Sequence, residues 1–297
     1  MIKQRTLKNS VHITGIGVHS GGPVSLTLQP APSDTGVLFR RTDLDPVVEI
    51  PARIACIGNT DMCTCLIKDS VMIATVEHLL SALSALQIDN LYVDLSYPEL
   101  PILDGSSKPF VELILSAGIE EQVALKKFIR IKKTIEVTQN DKWARFEPYD
   151  GFRVAFEIAF NHPVILRSEQ AVTFDFSETN YIEYVSSART FGFLADYEMM
   201  LAKKLAMGSS LDNTVVLDAD RVINPDGLRY PDEFVKHKIL DAIGDLYLVG
   251  HNIIGAFSGY KSGHAVNSAL LKKLLADESA WEMVTFEHAE DAPSCYA

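Results

Sequence analysis

Asp232-Glu-Phe-Val-Lys-His-Lys-Ile-Leu-Asp-Ala-Ile-Gly-Asp245 carries the pattern on which the fold turns. With Leu240, Ile243, Leu246, Tyr247 and Leu248 it is largely apolar at helical spacing, which predicts a buried helix from Asp232 to Tyr247. Its core segment Leu240-Asp-Ala-Ile-Gly-Asp-Leu246 matches Leu80-Ser-Ala-Leu-Ser-Ala-Leu86 position for position. Each half of the chain thus holds a similar amphipathic helix among strand-patterned segments. The pattern predicts an α+β fold built from two similar halves, although two unrelated amphipathic helices would also produce so short a match.

Outward from these helices, Val11-His-Ile-Thr and Val24-Ser-Leu-Thr-Leu28 alternate like strands around a glycine-rich turn at Gly15 to Gly22. Thr75 to Leu86 reads as helix and Asn90 to Ser96 as strand. Pro109 to Ala117 reads as a second helix, closed by Gly118. Polar Glu120 to Lys127 reads as a junction, giving domains at 1–126 and 127–297. Beyond it, Phe128 to Ile131, Ile135 to Val137, Trp143 to Phe146 and Phe152 to Phe160 read as strands, and Thr179 to Ser187 as helix. The tail after Trp281, ending Ala292-Pro-Ser-Cys-Tyr-Ala297, is expected to be mobile.

The chain carries 27 basic and 39 acidic residues, a net charge of −12. That balance argues against nonspecific nucleic-acid binding and against attraction to anionic membrane surfaces, but leaves room for a local basic pocket. No apolar run approaches the ~20 residues of a membrane helix. No signal peptide is visible after the charged start, and four cysteines in 297 residues fit a reducing compartment, so a cytoplasmic location is expected. Cys63-Thr-Cys65 is expected in a strand, as a pair of buried small residues rather than metal ligands.

His237 and Asp241 stand four apart, so they share a helix face and together grip one divalent ion. Thr75-Val-Glu77-His78 offers a third ligand with a carboxylate beside it. Two histidines and an aspartate leave a coordination position open, as hydrolytic zinc requires, and Glu77 would then activate a water. On its own a His-x-x-x-Asp pair is more often a surface pair or a satisfied buried one. Asp245, on the same face, would orient a further histidine. Buried carboxylates four apart need a metal or cationic partners. Neither zinc-peptidase signature is present: the inverted form needs a histidine where Ala74 stands. Lys261-Ser-Gly-His264 alone reads as an ordinary turn at a strand end.

Taken together, several segments resemble the UDP-3-O-acyl-N-acetylglucosamine deacetylase family, zinc enzymes of lipid A synthesis. They are Gly15-Ile-Gly-Val-His19-Ser-Gly21, Thr75-Val-Glu-His-Leu79, Leu100-Pro-Ile-Leu-Asp-Gly-Ser-Ser107, Ala188-Arg-Thr-Phe-Gly-Phe193, Asp232 to Asp241 and Lys261-Ser-Gly-His264. The resemblance implies two layered sheet–helix domains, a duplicated β-α-α-β sandwich, with the active site at their interface. It implies zinc on His78, His237 and Asp241, a site type that also accepts Fe2+. It makes Glu77 the general base and His264, held by Asp245, the acid. Thr190 would donate to the tetrahedral intermediate.

For the nucleotide end the resemblance implies His19, Lys142, Lys238 and Lys261 near the phosphates and sugar, and Phe160 as a uracil platform. Ala159 departs from the acidic residue of relatives at that subsite. An inserted βαβ unit around 191–216, beginning at Phe191, would form an apolar acyl tunnel. Its expected walls include Phe193, Leu194, Leu201, Leu205, Met207 and Val215, with Ala206 and Ser209 tuning the width. The implied substrate is UDP-3-O-(3-hydroxyacyl)-N-acetylglucosamine, deacetylated to free amine and acetate in the committed step of lipid A synthesis by a monomer. Two other readings stand beside it: a zinc amidohydrolase for a different acylated sugar nucleotide, and a non-catalytic sugar-nucleotide binder. An intact Glu77, metal trio and His264 argue against the second.

Overall fold

The structure, a computed structural model, describes residues 1–297. Its helices are α1 (Glu77–Ala85), α2 (Lys108–Ala117), α3 (Pro163–Leu166), α4 (Glu178–Tyr184), α5 (Leu194–Ala202), α6 (Glu233–Leu246) and α7 (His264–Ala276). A five-stranded sheet in the first half runs Val11–Ile16, Pro23–Pro30, Leu91–Leu95, Val37–Arg41, Val48–Pro51. A seven-stranded sheet in the second half is built on Asn252–Tyr260. That central strand is antiparallel to Lys142–Glu147 and parallel to both Phe128–Ile131 and Phe152–Glu157. The fold is α+β, as the alternation predicted.

The alternation also explains which faces are buried. In Pro23–Pro30 the side chains of Val24, Leu26 and Leu28 point inward and their neighbours are less buried. α2 lies on Val11–Ile16, α6 on Phe152–Glu157, and α7 on Ile135–Gln139 and Lys142–Glu147. α1 and α6, the two matching sequences, make the most extensive helix–helix contact. The buried core is continuous through both halves.

Close approach of α1 and α6 depends on small residues. Ser81 donates to the Leu240 carbonyl at 2.8 Å. A Cβ placed on Gly244 would sit 2.0 Å from the Glu77 carbonyl oxygen, against backbone that has no rotamer to yield. Gly244→Ala is therefore expected to destabilise the protein by about 1–3 kcal/mol through overpacking. It should also push the start of α1 outward. A denaturant midpoint unchanged from wild type would show that the helices separate freely.

Glu120 to Lys127, read as a junction, is mostly strand: Ile119–Leu125 pairs antiparallel with Lys3–Leu7. Its polar side chains are used for ties, since Asn90 Nδ2 donates to Gln122 Oε1 at 2.7 Å and Gln122 donates to the Ala31 carbonyl. Cys63-Thr-Cys65 lies just before the strand Leu66–Lys68 rather than in one. The terminal segment is anchored: Tyr296 is buried, donates to the Ile253 carbonyl at 2.8 Å and packs on Phe128 and Phe176. Finally, Gly263-His264 is not a plain turn, because His264 is the first residue of α7.

Candidate metal centre

Three buried side chains converge between α1 and α6. The ligand atoms of His78, His237 and Asp241 all lie within 4.8 Å of one another. Nε2 of His78 is 3.5 Å from Asp241 Oδ1, and Nε2 of His237 is 3.4 Å from the same oxygen. Those distances exceed hydrogen bonds, and that buried Oδ1 has no hydrogen-bond partner. An orphaned carboxylate oxygen facing two imidazole nitrogens fits a cation, because leaving it unpaired in the interior is costly. The other oxygen, Oδ2, accepts from Lys238 Nζ at 2.7 Å. Burial works against the Asp241 charge, yet the Lys238 ammonium helps to hold its carboxyl well below the usual range.

His237 is set for ligation by its second nitrogen. Nδ1 lies 3.0 Å from the Ala188 carbonyl, which takes its proton and leaves Nε2 with a lone pair toward Asp241 and His78. Burial lowers its pKa to about 3, so the ring is neutral, the form a metal needs. The Ala188 carbonyl is itself fixed through the next residue. Arg189 donates from its backbone and from Nε to Glu233 Oε1, at 3.0 and 2.8 Å, in a buried ion pair at the first turn of α6. Sequence reading missed Arg189 and Glu233, although Arg189 sits inside the Ala188-Arg-Thr-Phe run.

Beside the trio stand Glu77 and His264. Burial pushes the Glu77 carboxyl up to about 8. Its Oε2 accepts the Thr64 backbone N–H at 3.1 Å and its Oε1 lies 3.6 Å from His264 Nε2. His264 starts α7, where burial and the positive helix end both disfavour a charged ring. The Asp245 and Glu77 carboxylates overcome that burial and lift its pKa to about 10. Asp245 Oδ2 accepts a hydrogen bond from His264 Nδ1–H at 2.8 Å and another from Asn267 Nδ2 at 2.9 Å. Thr64 and Asn267 were not legible in the sequence. Each becomes a neighbour only through the packing of distant segments.

These groups open into one cavity of about 830 Å³. It is lined by Glu77, His78, His237, Lys238, Asp241 and His264, by Thr190, and by His19, Lys142, Phe160, Phe191 and Lys261. Asp245 alone of the expected site residues does not line it, standing behind His264. Phe160 packs edge-on against Phe191 with ring centres 5.5 Å apart. Lys261 Nζ pairs with Asp141. His19 is placed by Glu99, which accepts its backbone N–H at 2.8 Å and the Thr75 hydroxyl at 3.1 Å. Glu99 is a further residue that the sequence did not single out.

One arm of the cavity is apolar. Strands Phe191–Phe193 and Val215–Leu217 pair in parallel with α5 between them, forming a βαβ unit. None of the nine α5 residues is buried, and Leu194, Tyr197 and Met200 face the cavity. Phe193, Ala206 and Ser209 line it as expected. The other expected wall residues do not. Leu201 and Met207 point to solvent, Val215 is in the core, and Leu205 lies off the lining. Apolar composition could not separate these fates, because core, wall and exposed helix face draw on the same residue types.

An α+β scaffold that brings a His2Asp ligand set together with a buried carboxylate and a charged imidazole in one cavity defines a metal-dependent hydrolase. Comparison with known proteins gives the family. The profile of the LpxC family, UDP-3-O-acyl N-acetylglycosamine deacetylase, matches residues 4–276. A UDP-3-O-acyl-N-acetylglucosamine deacetylase of Coxiella burnetii (strain CbuK_Q154) is 62% identical over 296 residues, covering 100% of this chain and 98% of the relative. Its counterparts in strains Dugway 5J108-111 and RSA 331 / Henzerling II are 61% identical with the same coverage. The chain belongs to this family.

Proposed function

We propose that the protein hydrolyses the N-acetyl amide of UDP-3-O-(3-hydroxyacyl)-N-acetylglucosamine, using Zn2+, and so acts in lipid A synthesis. The observation that carries the reading is the pairing of buried Glu77 with half-buried His264, 3.6 Å apart, beside a His2Asp trio that fits a metal. The substrate class follows from the family. No helix is long and apolar enough to cross a membrane. Residues 1–126 and 127–297 serve as the two α+β units, with the unit around 191–216 receiving the acyl chain.

His78, His237 and Asp241 would hold the ion. When bound it would supply Lewis-acid polarisation of the amide carbonyl and make water a stronger nucleophile. Glu77 removes the proton from the attacking water. A carboxyl raised by burial is a better base than an exposed one once it is ionised. Thr190 and protonated His264 face the oxygen on which negative charge develops. His264 then gives its proton to the leaving amine, while Asp245 keeps its ring oriented. Lys238 and Lys261 supply positive charge for the diphosphate, and Lys142 and His19 extend that lining. Leu194, Tyr197 and Met200 give the acyl chain an apolar wall.

Turnover needs Glu77 ionised and His264 protonated. The rate therefore rises as pH passes up through the Glu77 pKa, about 8 in the metal-free protein. It falls as pH passes the His264 pKa, about 10 there. A bound cation moves both limits downward, since it favours the carboxylate and opposes the imidazolium. The expected profile of kcat/KM is a bell, and His264→Gln is expected to lose its alkaline limb. An unchanged alkaline limb in that variant would assign the limb to another group.

The direct test is acetate release from UDP-3-O-(3-hydroxyacyl)-N-acetylglucosamine, repeated after chelation and after Zn2+ is restored. Turnover that disappears with chelator and returns with Zn2+ is expected. Retained turnover in a verified metal-free protein would overturn the metal-dependent reading.

A further inference from the structure

Cys63 and Cys65 are buried, with their Sγ atoms 3.6 Å apart, and form a small apolar cluster with Ala74 outside the main core. Both are free thiols. Cys63 lines the cavity and Cys65 does not, so a small solute in the cavity meets Cys63 first. Neither thiol is used in the reaction described above.

The residue between them is the informative one. Thr64 donates its backbone N–H to Glu77 Oε2 at 3.1 Å and its hydroxyl to Asp245 Oδ1 at 2.5 Å. Its carbonyl accepts the Val76 N–H at 3.3 Å. One side chain and its backbone therefore hold the base and the carboxylate that orients His264. Cys65 is tied to Asn59 and Gly58 by backbone hydrogen bonds, so its side of the segment is anchored.

We propose that Cys63 and Cys65 are a modification site: an oxidisable dithiol whose closure to a disulfide withdraws Thr64 from Glu77 and Asp245 and arrests turnover. The oxidant class is a hydroperoxide, with hydrogen peroxide the simplest. The Cys63 sulfur attacks one peroxide oxygen. The O–O bond breaks, the other oxygen leaves as hydroxide and takes the Cys63 thiol proton to become water, and Cys63 becomes a sulfenic acid. The Cys65 sulfur then attacks the Cys63 sulfur. The S–O bond breaks, and the second water leaves with the Cys65 proton. Two thiols lose two electrons and two protons, and one peroxide becomes two waters. The sulfurs must close from 3.6 Å to a bond of about 2.05 Å. Because the ring so formed contains the Thr64 backbone, that closure turns the N–H and hydroxyl of Thr64 away from their acceptors.

This inference rests on the roles given to Glu77 and His264, and the test separates the two. The metal-loaded full chain is treated with hydrogen peroxide, then examined by peptide mapping, metal content and steady-state kinetics. The expected result is a Cys63–Cys65 disulfide with metal retained, kcat lowered about 100-fold, the lower end of the loss when a general base is disabled, KM little changed, and recovery with dithiothreitol. Cys65→Ser is expected to keep basal turnover and to hold it through the same treatment. Thr64→Val, which lacks the hydroxyl, is expected to lower kcat without peroxide. The proposal is overturned if both thiols survive peroxide that oxidises Cys56, if the disulfide forms with turnover intact, or if Cys65→Ser is inactivated equally. The peptide map reports the disulfide whether or not the protein releases acetate, so failure of the deacetylase reading is distinguished from failure of this one.

Discussion

Glu77→Ala is expected to lower kcat by ~10²–10⁴ while leaving metal content near wild type. The side chain is not one of the three converging ligands, so its removal takes away proton transfer and not the ion. Alanine suits a helix start poorly only by losing an acidic first-turn residue, an effect of about 1 kcal/mol or less. The larger consequence falls on His264. Glu77 is one of the three carboxylates that lift the His264 pKa, with Asp245 and Asp241. Without it the imidazolium is less well held, so the alkaline limb of the residual activity should move to lower pH. Kinetics across pH with metal analysis on the same samples checks both parts. Turnover near wild type would remove Glu77 from the mechanism.

Asp241→Ala is expected to lose metal and, with it, nearly all turnover. Asp241 Oδ1 faces both imidazoles, and Oδ2 takes the Lys238 ammonium. Removing the carboxylate strips the trio of its only negative charge and leaves Lys238 beside two histidines without its ion-pair partner. Loss of one member of such a pair is more damaging than absence of both. Asp241→Asn keeps the shape and an acceptor but not the charge, so it should bind the metal more weakly than wild type and more strongly than Asp241→Ala. Metal content after dialysis against a weak chelator orders the three proteins. Full retention in Asp241→Ala would take Asp241 out of the ligand set.

His237, Asp241 and His78 were legible because their chemistry is local. An i,i+4 pair on an apolar helix shares a face whatever the rest of the chain does, and Glu77 is adjacent to His78. The match between α1 and α6 was legible for the same reason, since periodicity is a property of a short segment. That the two helices pack on each other was not legible, and only the structure shows it.

What escaped sequence reading depends on distance along the chain. Thr64 meets Asp245 across 181 positions, and Arg189 meets Glu233 across 44. Neither pair has a periodic or spacing signal, because their approach is set by how sheets and helices stack. The polar strand Ile119–Leu125 was not legible as a strand because its partner is the charged start of the chain, and backbone pairing in an edge ribbon asks little of side chains. The tail looked loose because one buried aromatic, Tyr296, is enough to anchor it but too little to make a pattern.

The sequence by itself determined the α+β class, the two matching helices and the shared face of His237 and Asp241, because each follows from periodicity or from neighbours within one turn; the full metal trio and Glu77 as base were assigned only through the family resemblance. Only the tertiary structure decided that α7 begins at His264, that Thr64 ties Asp245 to the base, and that Leu194 but not Leu201 faces the cavity. Those outcomes depend on which surfaces meet when the helices pack, and the close passage of α6 over the Glu77 backbone at Gly244 brings those surfaces together.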